Sequence, residues 1–391
     1  MTLKANFSEE ILTIYLEGAI DSTTAPEAEK QLMEIYQEHT AKAVVLDAEA
    51  LRYISSSGLR VLLKLRKMEQ NLELINASPE VYDILEMTGF TELFPVTQVY
   101  RTINLEDCQL LGAGGHGKVL RLNADTIVKL YYAGDTIEDI KREQDYAKKA
   151  FVMGIPTAIP FDVVKCDGLY GLVFELVNAD IVSNYLNDHP DQLEDIAKKY
   201  AQTIKQLHET PVAAGALSST RELYHSRIEG LRAYMTDEEV DMLHRIHGAI
   251  PEGNTVVHGD FHPKNVMIQN GELVLIDMAD LTTGHPLYDL GSMALSHHLP
   301  PDYRLEDITG MKAEMVRKLW QLFLANYLGT DDLRAIGLLE KKLSVVGLMK
   351  MASTLAFSTK ARQPGVIEGV LAIVRKNLLA NAEQLIQLLS M

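Results

Sequence analysis

One segment, residues 256–277, constrains the fold of this chain more than any other. An Asn-Gly pair at positions 270 and 271 lies between two apolar runs, which is the strongest short signal for a β-hairpin with a two-residue turn. Counting outward from this turn pairs Asn265 with the residue before Asp277, so both polar side chains lie at the open end of the hairpin. The irregular loop that leads into the hairpin carries Asp260. The sequence therefore predicts that three oxygen-bearing side chains converge beside one hairpin.

Such a set of oxygen ligands suits Mg²⁺, which binds through a few carboxylate or amide oxygens and keeps several waters. Phosphoryl transfer needs a metal that neutralises the developing charge and a carboxylate that accepts or orients the proton of the attacking hydroxyl. We predict that Asp260 is this base and that Asn265 and Asp277 are the metal ligands. The alternative is that Asp260 is a turn residue and Asp277 an ordinary strand end, and the segments upstream weigh against it.

A glycine-rich stretch follows the pattern G-x-G-x-x-G at Gly112, Gly114 and Gly117. Glycine lets backbone N–H groups approach a phosphate closely, so the three residues are candidates for nucleotide binding. Residues 118–122 continue as a strand pattern, which favours the loop between two strands of a kinase over a dinucleotide site. Taken alone, the stretch is equally typical of a hairpin turn.

Lys129 lies inside a short apolar strand, and the helix that follows supplies a partner for it. Asp135 and Glu138 predict a capping box at the start of this helix. Steps of three and four residues then place Glu143 on the apolar face. A buried carboxylate is costly unless it is paired, so we predict an ion pair between Glu143 and Lys129. In kinases such a pair holds the α- and β-phosphates of the nucleotide.

Periodicity divides the 391 residues into three predicted regions. Residues 1–103 alternate between strand and helix patterns, which indicates an α/β domain with crossover helices. Residues 104–178 are rich in strand patterns and residues 179–391 in helical ones. These two regions are predicted to be the small and large lobes of an α+β fold.

The formal net charge of −17 disfavours a nucleic acid or an anionic membrane as partner, because both repel an acidic surface. Two cysteines, Cys108 and Cys166, are too few for a disulfide framework or a zinc site. The first residues lack the pattern of a signal peptide, and no apolar run is long enough for a membrane helix. We therefore expect a cytoplasmic protein.

The run His258-Gly-Asp-Phe-His-Pro-Lys-Asn265, followed by Ile276-Asp277, resembles the aminoglycoside phosphotransferase family within the wider choline-kinase-like group. The resemblance covers roughly residues 106–391. It implies a bilobal protein-kinase-like fold, ATP and Mg²⁺ as cofactors and a small-molecule acceptor, since this family favours His-Gly-Asp over the His-Arg-Asp of protein kinases.

The same resemblance implies further roles. The backbone of Glu175 and Val177 would meet adenine as a hinge, and Asp289 would support the catalytic loop. The chain departs from the family at Gly284-His-Pro286, where many relatives have Gly-Asp-Pro. It also lacks the activation segment of protein kinases. The identity of the acceptor therefore stays open among aminoglycosides, amino alcohols, sugars and nucleoside-like metabolites.

Residues 1 to about 100 resemble a STAS domain, the module of bacterial anti-sigma-factor antagonists. The resemblance rests on Leu16-Glu-Gly-Ala-Ile-Asp-Ser22, on Val44-Val-Leu-Asp47 and on Tyr53-Ile-Ser-Ser-Ser-Gly-Leu59. It implies that Ser57 is phosphorylated at a helix N-terminus, where free N–H groups favour a phosphate. The same serines are also ordinary N-caps, and Ser55 stands where an aspartate is usual. Residues 1–100 carry twice as many acidic as basic side chains, which favours a protein partner.

Three functions are compatible with these patterns. The leading hypothesis is an ATP- and Mg²⁺-dependent phosphotransferase that transfers the γ-phosphate to a hydroxyl of a small molecule, with a STAS domain for regulation or protein docking. The second is a signalling protein whose kinase domain phosphorylates Ser57 or a partner protein. The third, a nucleotide-binding scaffold without catalysis, is disfavoured because the catalytic residue set is complete.

Overall fold

The computed structural model describes residues 3–114, 117–357 and 364–391. The chain divides into two compact units: Met1–Asn104 together with Val163–Gly168, and Leu105–Asp162 together with Leu169–Met391. Within the described residues, the helices are all too short or too polar to span a lipid bilayer.

The first unit is built around a sheet with the strand order β1-β2-β3-β4-β5, in which β1 is antiparallel to β2 and the other neighbours are parallel. Parallel neighbours require crossover connections, which the helices supply. The elements up to residue 102 are β1 (Lys4–Ser8), β2 (Ile11–Ile20), α1 (Ala25–Glu38), β3 (Ala43–Ile54), α2 (Ser56–Met68), β4 (Leu72–Ala77), α3 (Pro79–Met87), α4 (Phe90–Leu93), β5 (Val96–Gln98) and β6 (Arg101–Thr102). The predicted alternation of strands and helices is confirmed.

Local signals explain the helix starts, and the apolar faces explain the packing. The side chain of Ser78 accepts a hydrogen bond from the N–H of Val81, and Pro79 occupies the first helical position of α3. Leu46 on β3, Leu74 on β4 and Leu62 on α2 are fully buried in one core. Burial of this apolar surface stabilises the helices against the sheet.

The second unit begins with a region of strands and one long helix. The elements of this part of the chain are β7 (Gln109–Ala113), β8 (Gly117–Arg121), β9 (Thr126–Tyr131), α5 (Ile137–Val152), β10 (Pro160–Cys166) and β11 (Leu169–Glu175). From Val163 onward, β10 belongs to the first unit. Neighbouring strands pair antiparallel in the order β11-β9-β8-β7.

The predicted start of α5 is wrong by one residue. The capping box joins Thr136 and Asp139, not Asp135 and Glu138. Adjacent positions both satisfied the spacing rule, and a hydroxyl at the N-cap exchanges hydrogen bonds with the third helical residue as well as a carboxylate does. Glu143 nevertheless lies on the inner face as predicted, with 3% of its side chain exposed.

The rest of the second unit is mainly helical. Its elements are β12 (Asp180–Ile181), α6 (Val182–Asp188), α7 (Leu193–Glu209), α8 (Thr220–Glu229), α9 (Asp237–Gly248), β13 (Thr255–Val257), β14 (Val266–Gln269), β15 (Glu272–Leu275), β16 (Thr282–Gly284), α10 (Leu287–His297), α11 (Asp302–Thr309), α12 (Ala313–Leu328), α13 (Leu333–Phe357), α14 (Pro364–Asn377) and α15 (Ala382–Ser390). Tyr200, Phe261, Trp320 and Phe323 are fully buried and form the aromatic part of its core.

The predicted hairpin is confirmed as β14 and β15. Gln269 pairs with Glu272 across the turn. The turn residues Asn270 and Gly271 have φ values of 52° and 82°, as a two-residue hairpin turn requires. At the open end, the N–H of Ile276 donates to the carbonyl of Asn265 at 3.0 Å. The fold therefore presents residues 265 and 277 side by side.

Candidate functional site

A buried carboxylate fixes the loop that leads into the hairpin. Asp289 on α10 is fully buried, and its two oxygens accept hydrogen bonds from the N–H groups of His258 and Gly259, both at 2.7 Å. His208 on α7 approaches the same carboxylate at 3.3 Å. Burial raises the pKa of Asp289, but the hydrogen bonds and charge of His208 outweigh it and the net pKa is lowered. An ionised Asp289 thus holds the backbone just before Asp260.

Glycine is required within this loop for steric reasons. Gly259 has a φ of +84°, and a Cβ atom there would lie 2.6 Å from the backbone oxygen of Asp280. Only glycine adopts this conformation readily and leaves room for the neighbouring backbone. This close approach explains why the loop has His-Gly-Asp and not His-Arg-Asp.

The amide of Asn265 is bonded directly to Asp260. Its Nδ2 atom donates to the backbone oxygen of Asp260 at 3.0 Å and to the side-chain Oδ2 at 3.2 Å. The carbonyl oxygen Oδ1 of Asn265 therefore lies on the other side of the amide group from Asp260. The side chain of Asp260 is 47% exposed, so a reactant can reach it.

Basic side chains influence the Asp260 carboxylate. His262 Nε2 lies 3.4 Å from its Oδ2. Desolvation by the surrounding loop raises the pKa of Asp260, but hydrogen bonding to His262 and the charge of Lys350 outweigh it and hold the pKa well below its ordinary value. Asp260 is therefore a carboxylate near neutral pH and can accept a hydrogen bond from a hydroxyl group.

Lys350 on α13 is a residue of this site that our sequence reasoning missed. Its ammonium group donates to the backbone oxygen of Gly259 and to Oγ of Ser292. Ser292 Oγ in turn donates to the same Gly259 oxygen at 2.8 Å. A signal was present in the sequence, since Lys350 is the one charged residue between positions 343 and 357. A lone charge in an apolar helix points to a buried partner.

The predicted ion pair between Lys129 and Glu143 is present, and Asp277 joins it. Lys129 Nζ lies 2.7 Å from Glu143 Oε1 and 3.1 Å from Asp277 Oδ1. Tyr131 OH donates to the other Glu143 oxygen at 2.8 Å. Burial disfavours charge on Lys129, yet the two carboxylates raise its pKa above the ordinary value. Burial raises the pKa of Glu143, and the nearby Asp277 adds to this increase.

The cluster of Lys129, Glu143 and Asp277 carries one net negative charge, since one ammonium faces two carboxylates. The side chain of Asp277 is 37% exposed, whereas that of Glu143 is almost completely buried. Asp277 is thus the carboxylate of the group that a metal ion could reach. Its oxygens, together with the amide oxygen of Asn265, are the donor set that Mg²⁺ prefers.

The glycine-rich stretch lies at the turn between β7 and β8, of which positions 115 and 116 are outside the described residues. Gly112 lies near the end of β7, and the N–H of Gly114 donates to the carbonyl of Gly117 at 2.9 Å. A Cβ atom on Gly117 would lie 2.1 Å from the backbone oxygen of Leu130 on β9. Gly117 therefore lets β8 pack closely against the strand that carries Lys129. The role of the three glycines in phosphate binding stays a prediction.

The predicted hinge begins at the last residue of β11. The side chain of Glu175 accepts a hydrogen bond from the N–H of Ile159 at 2.9 Å, and its own N–H donates to the carbonyl of Ile159 at 3.0 Å. A cavity of about 460 Å³ borders Glu175 and Val177 and extends towards Phe151 and Gln269. With the Glu175 side chain held by Ile159, the adenine contacts predicted here would come from the backbone.

In the first unit, Ser55 caps α2. Its Oγ accepts hydrogen bonds from the N–H groups of Ser57 and Gly58 at 3.2 and 3.4 Å. Ser57 is half-buried in the first turn of the helix, the position for which phosphorylation is predicted. The N-cap interpretation thus holds for Ser55, while the modification of Ser57 stays a prediction.

Comparison with known proteins agrees with this architecture. Residues 107–314 match the phosphotransferase enzyme family, and residues 2–105 match the STAS domain. The STAS region is 35% identical over 100 residues to BtrV of Bordetella bronchiseptica, which is named as an anti-sigma factor antagonist. The match covers 25% of this chain and 85% of that protein.

Two solved structures resemble the chain more distantly. One is the ternary complex of the aminoglycoside phosphotransferase APH(2")-IIa with streptomycin and ATP, with a TM-score of 0.49 and 16% identity over 78% of this chain and 97% of the other. The second is an ethanolamine kinase of Plasmodium vivax, with a TM-score of 0.48 and 14% identity over 70% and 84% of the two chains.

The fold and the family matches together define a phosphotransferase with a STAS domain at its amino-terminal end. The chain belongs to the phosphotransferase enzyme family, whose match spans more than half of its length. Both family resemblances and the predicted fold class are confirmed. The domain boundaries at residues 103 and 178 stay predictions.

Proposed function

We propose that this protein uses ATP and Mg²⁺ to transfer the γ-phosphate to a hydroxyl group of a small molecule. One observation carries the proposal: a continuous series of contacts joins Lys129, Asp277, Asn265 and Asp260 in one region. Asp260 is bonded to Asn265, the backbone of Asn265 is bonded to the residue before Asp277, and Asp277 contacts Lys129. Few other groups are needed for phosphoryl transfer, which depends on positioning and charge neutralisation.

Asn265 and Asp277 would hold Mg²⁺, which when bound neutralises the charge on the phosphate oxygens. Lys129 would contact the phosphates, because its ammonium lies 3.1 Å from Asp277, the carboxylate that would hold the metal ion. Gly112, Gly114 and Gly117 would cover the phosphates, and the backbone of Glu175 and Val177 would meet adenine. Asp260 would accept the proton of the attacking hydroxyl.

The environment of Asp260 supports its role as a base. Its carboxylate stays ionised because His262 and Lys350 hold its pKa low. A base with such a low pKa abstracts a proton weakly, so Asp260 would act mainly by orienting the hydroxyl and by accepting its proton late in the transfer. A small-molecule acceptor fits the His-Gly-Asp loop of the family resemblance.

The test measures ADP release with a panel of hydroxyl compounds: aminoglycosides, amino alcohols, sugars and nucleosides. Asp260→Asn should lower the acceptor-stimulated rate about 10³-fold, the scale typical of a lost acid–base group. Binding of an ATP analogue should be nearly unchanged. The control is Asp195→Asn, an exposed carboxylate on α7. An unchanged rate for Asp260→Asn would refute the assignment.

We also propose that the STAS domain binds a protein partner and that the protein is cytoplasmic, where ATP is available.

A second candidate function is favoured by the match to an anti-sigma factor antagonist and by the place of Ser57 at the start of α2. In this alternative, the kinase domain phosphorylates Ser57 or a partner protein. Intact-mass measurement after incubation with ATP and Mg²⁺, for wild type and Ser57→Ala, tests the self-modifying form of this alternative. A phosphate added to wild type and not to Ser57→Ala would support it, and no added phosphate in either protein would contradict it.

A further inference from the structure

Two histidines and a glutamate from neighbouring helices meet at the surface of the second unit. His225 and Glu229 lie four residues apart on α8, so their side chains share one helix face. His244 lies on α9. One ligand atom from each of the three residues lies within 4.8 Å of the other two.

The geometry of His244 turns this contact into a candidate site. Its Nε2 atom lies 2.6 Å from Glu229 Oε1, and its ring lies 4.4 Å from the ring of His225. Its Nδ1 atom is buried, and the described residues offer it no hydrogen-bond partner. His225 is exposed, so a metal ion in solution can reach the cluster. Two imidazoles that approach this closely repel each other when protonated, whereas a metal ion binds both in their neutral form.

The charges around the cluster also favour a cation. Arg232 donates to both oxygens of Glu229, and it also bonds Asp237 and Asp241. Three carboxylates thus surround one guanidinium, which leaves an excess of negative charge beside the histidines. Arg232 competes for Glu229, but a carboxylate has about four lone-pair sites and can bind a metal while it accepts from arginine.

We propose that His225, Glu229 and His244 bind a divalent transition metal such as Zn²⁺. Imidazole ligands select zinc, nickel or copper over Mg²⁺, which prefers oxygen. Three protein ligands from two helices leave a fourth position for water or another ligand. The metal would join α8 to α9. Our sequence reasoning did not identify this site, because the second histidine follows only after a turn and a new helix.

This site is separate from the proposed Mg²⁺ site, so the test does not depend on the phosphotransferase reaction. Zn²⁺ is titrated calorimetrically into the full chain in excess Mg²⁺, which occupies the oxygen ligands elsewhere. We expect one bound Zn²⁺ per chain and a rise in the melting temperature. His225→Ala and His244→Ala should each abolish this binding. His189→Ala, which removes an exposed histidine elsewhere on the second unit, should leave it intact.

His225→Ala is the decisive variant, because an exposed side chain can be removed without loss of the fold. Its unfolding curve without metal should match that of wild type. If Zn²⁺ binds wild type and His225→Ala equally, or if it binds neither, the proposed site is wrong. A loss of binding in His189→Ala as well would place the metal outside the cluster and would equally overturn the proposal.

Discussion

Lys129 and Asp277 are 148 residues apart in the sequence, yet their Nζ and Oδ1 atoms lie 3.1 Å apart. The lysine comes from the sheet of β7 to β11, and the aspartate follows the hairpin of β14 and β15. The φ of Asp277 is +67°, a conformation that costs an aspartate free energy unless the surroundings hold it. The contact therefore links the strand-rich part of the second unit to the hairpin that carries the proposed metal ligands.

Lys129→Met should destabilise the protein and abolish phosphotransfer. The substitution leaves the buried Glu143 without its cation, and breaking a buried ion pair costs about 3–5 kcal/mol. The measurement is the free energy of unfolding in urea together with ADP release. Lys118→Met removes an exposed lysine from the adjacent strand and should change stability little. Equal stabilities for the two variants would contradict the structural role of the pair.

Gly117→Ala should destabilise the second unit through a steric clash. Gly114→Ala should cause no such clash. A Cβ atom at Gly117 would lie 2.1 Å from the backbone oxygen of Leu130. Around a Cβ atom at Gly114, the described residues place no atom within 4 Å, apart from those of the glycine and its two chain neighbours. Separation of β8 from β9 costs backbone hydrogen bonds, so we expect a loss of about 1–3 kcal/mol. Thermal unfolding measures the difference. A lower melting temperature for Gly114→Ala than for Gly117→Ala would contradict it.

Lys350→Met should shift the acid limb of the pH–rate profile to higher pH. The charge of Lys350 helps to keep the pKa of Asp260 low, so its loss raises that pKa, and the base becomes protonated at a higher pH. Lys350→Arg retains the charge and should restore most of the wild-type profile. This prediction assumes the proposed role of Asp260. A lower rate with an unchanged acid limb would mean that Lys350 only supports the loop.

Stability should fall as the pH decreases from 6.5 towards 4. Burial lowers the pKa of His247 and of His297 to about 4, from the ordinary 6.5. Between these values the unfolded chain binds protons that the folded chain excludes, so each residue costs up to about 3 kcal/mol of stability at the acidic end and nothing above 6.5.

Urea unfolding across this pH range gives the measurement. His247→Gln removes one titrating group but keeps an oxygen that can accept from Tyr288, the present partner of His247. Its stability should therefore depend less steeply on pH than that of wild type. His189→Gln changes an exposed histidine and should leave the slope unchanged. Parallel curves of unfolding free energy against pH for wild type and His247→Gln would refute the lowered pKa of His247 as a cause of the acid destabilisation.

Much of the site followed from local rules. The hairpin register was predictable because an Asn-Gly turn fixes the pairing of the strands on either side. The pairing of Lys129 with Glu143 was predictable because helical periodicity placed a carboxylate on an apolar face, where it needs a cation. The start of α5 was not, because two adjacent residues satisfied the same capping rule and the spacing could not choose between them.

The sequence by itself determined the order of domains, the hairpin and the residue types able to hold a phosphate and a metal, since these depend on local periodicity and turn chemistry. Only the tertiary structure decided which distant side chains meet. Lys350 beneath Gly259, and His244 beside Glu229, come from separate helices whose packing depends on the whole core. Helix packing is set by the fit of many side chains together, and no short segment of the sequence contains that information.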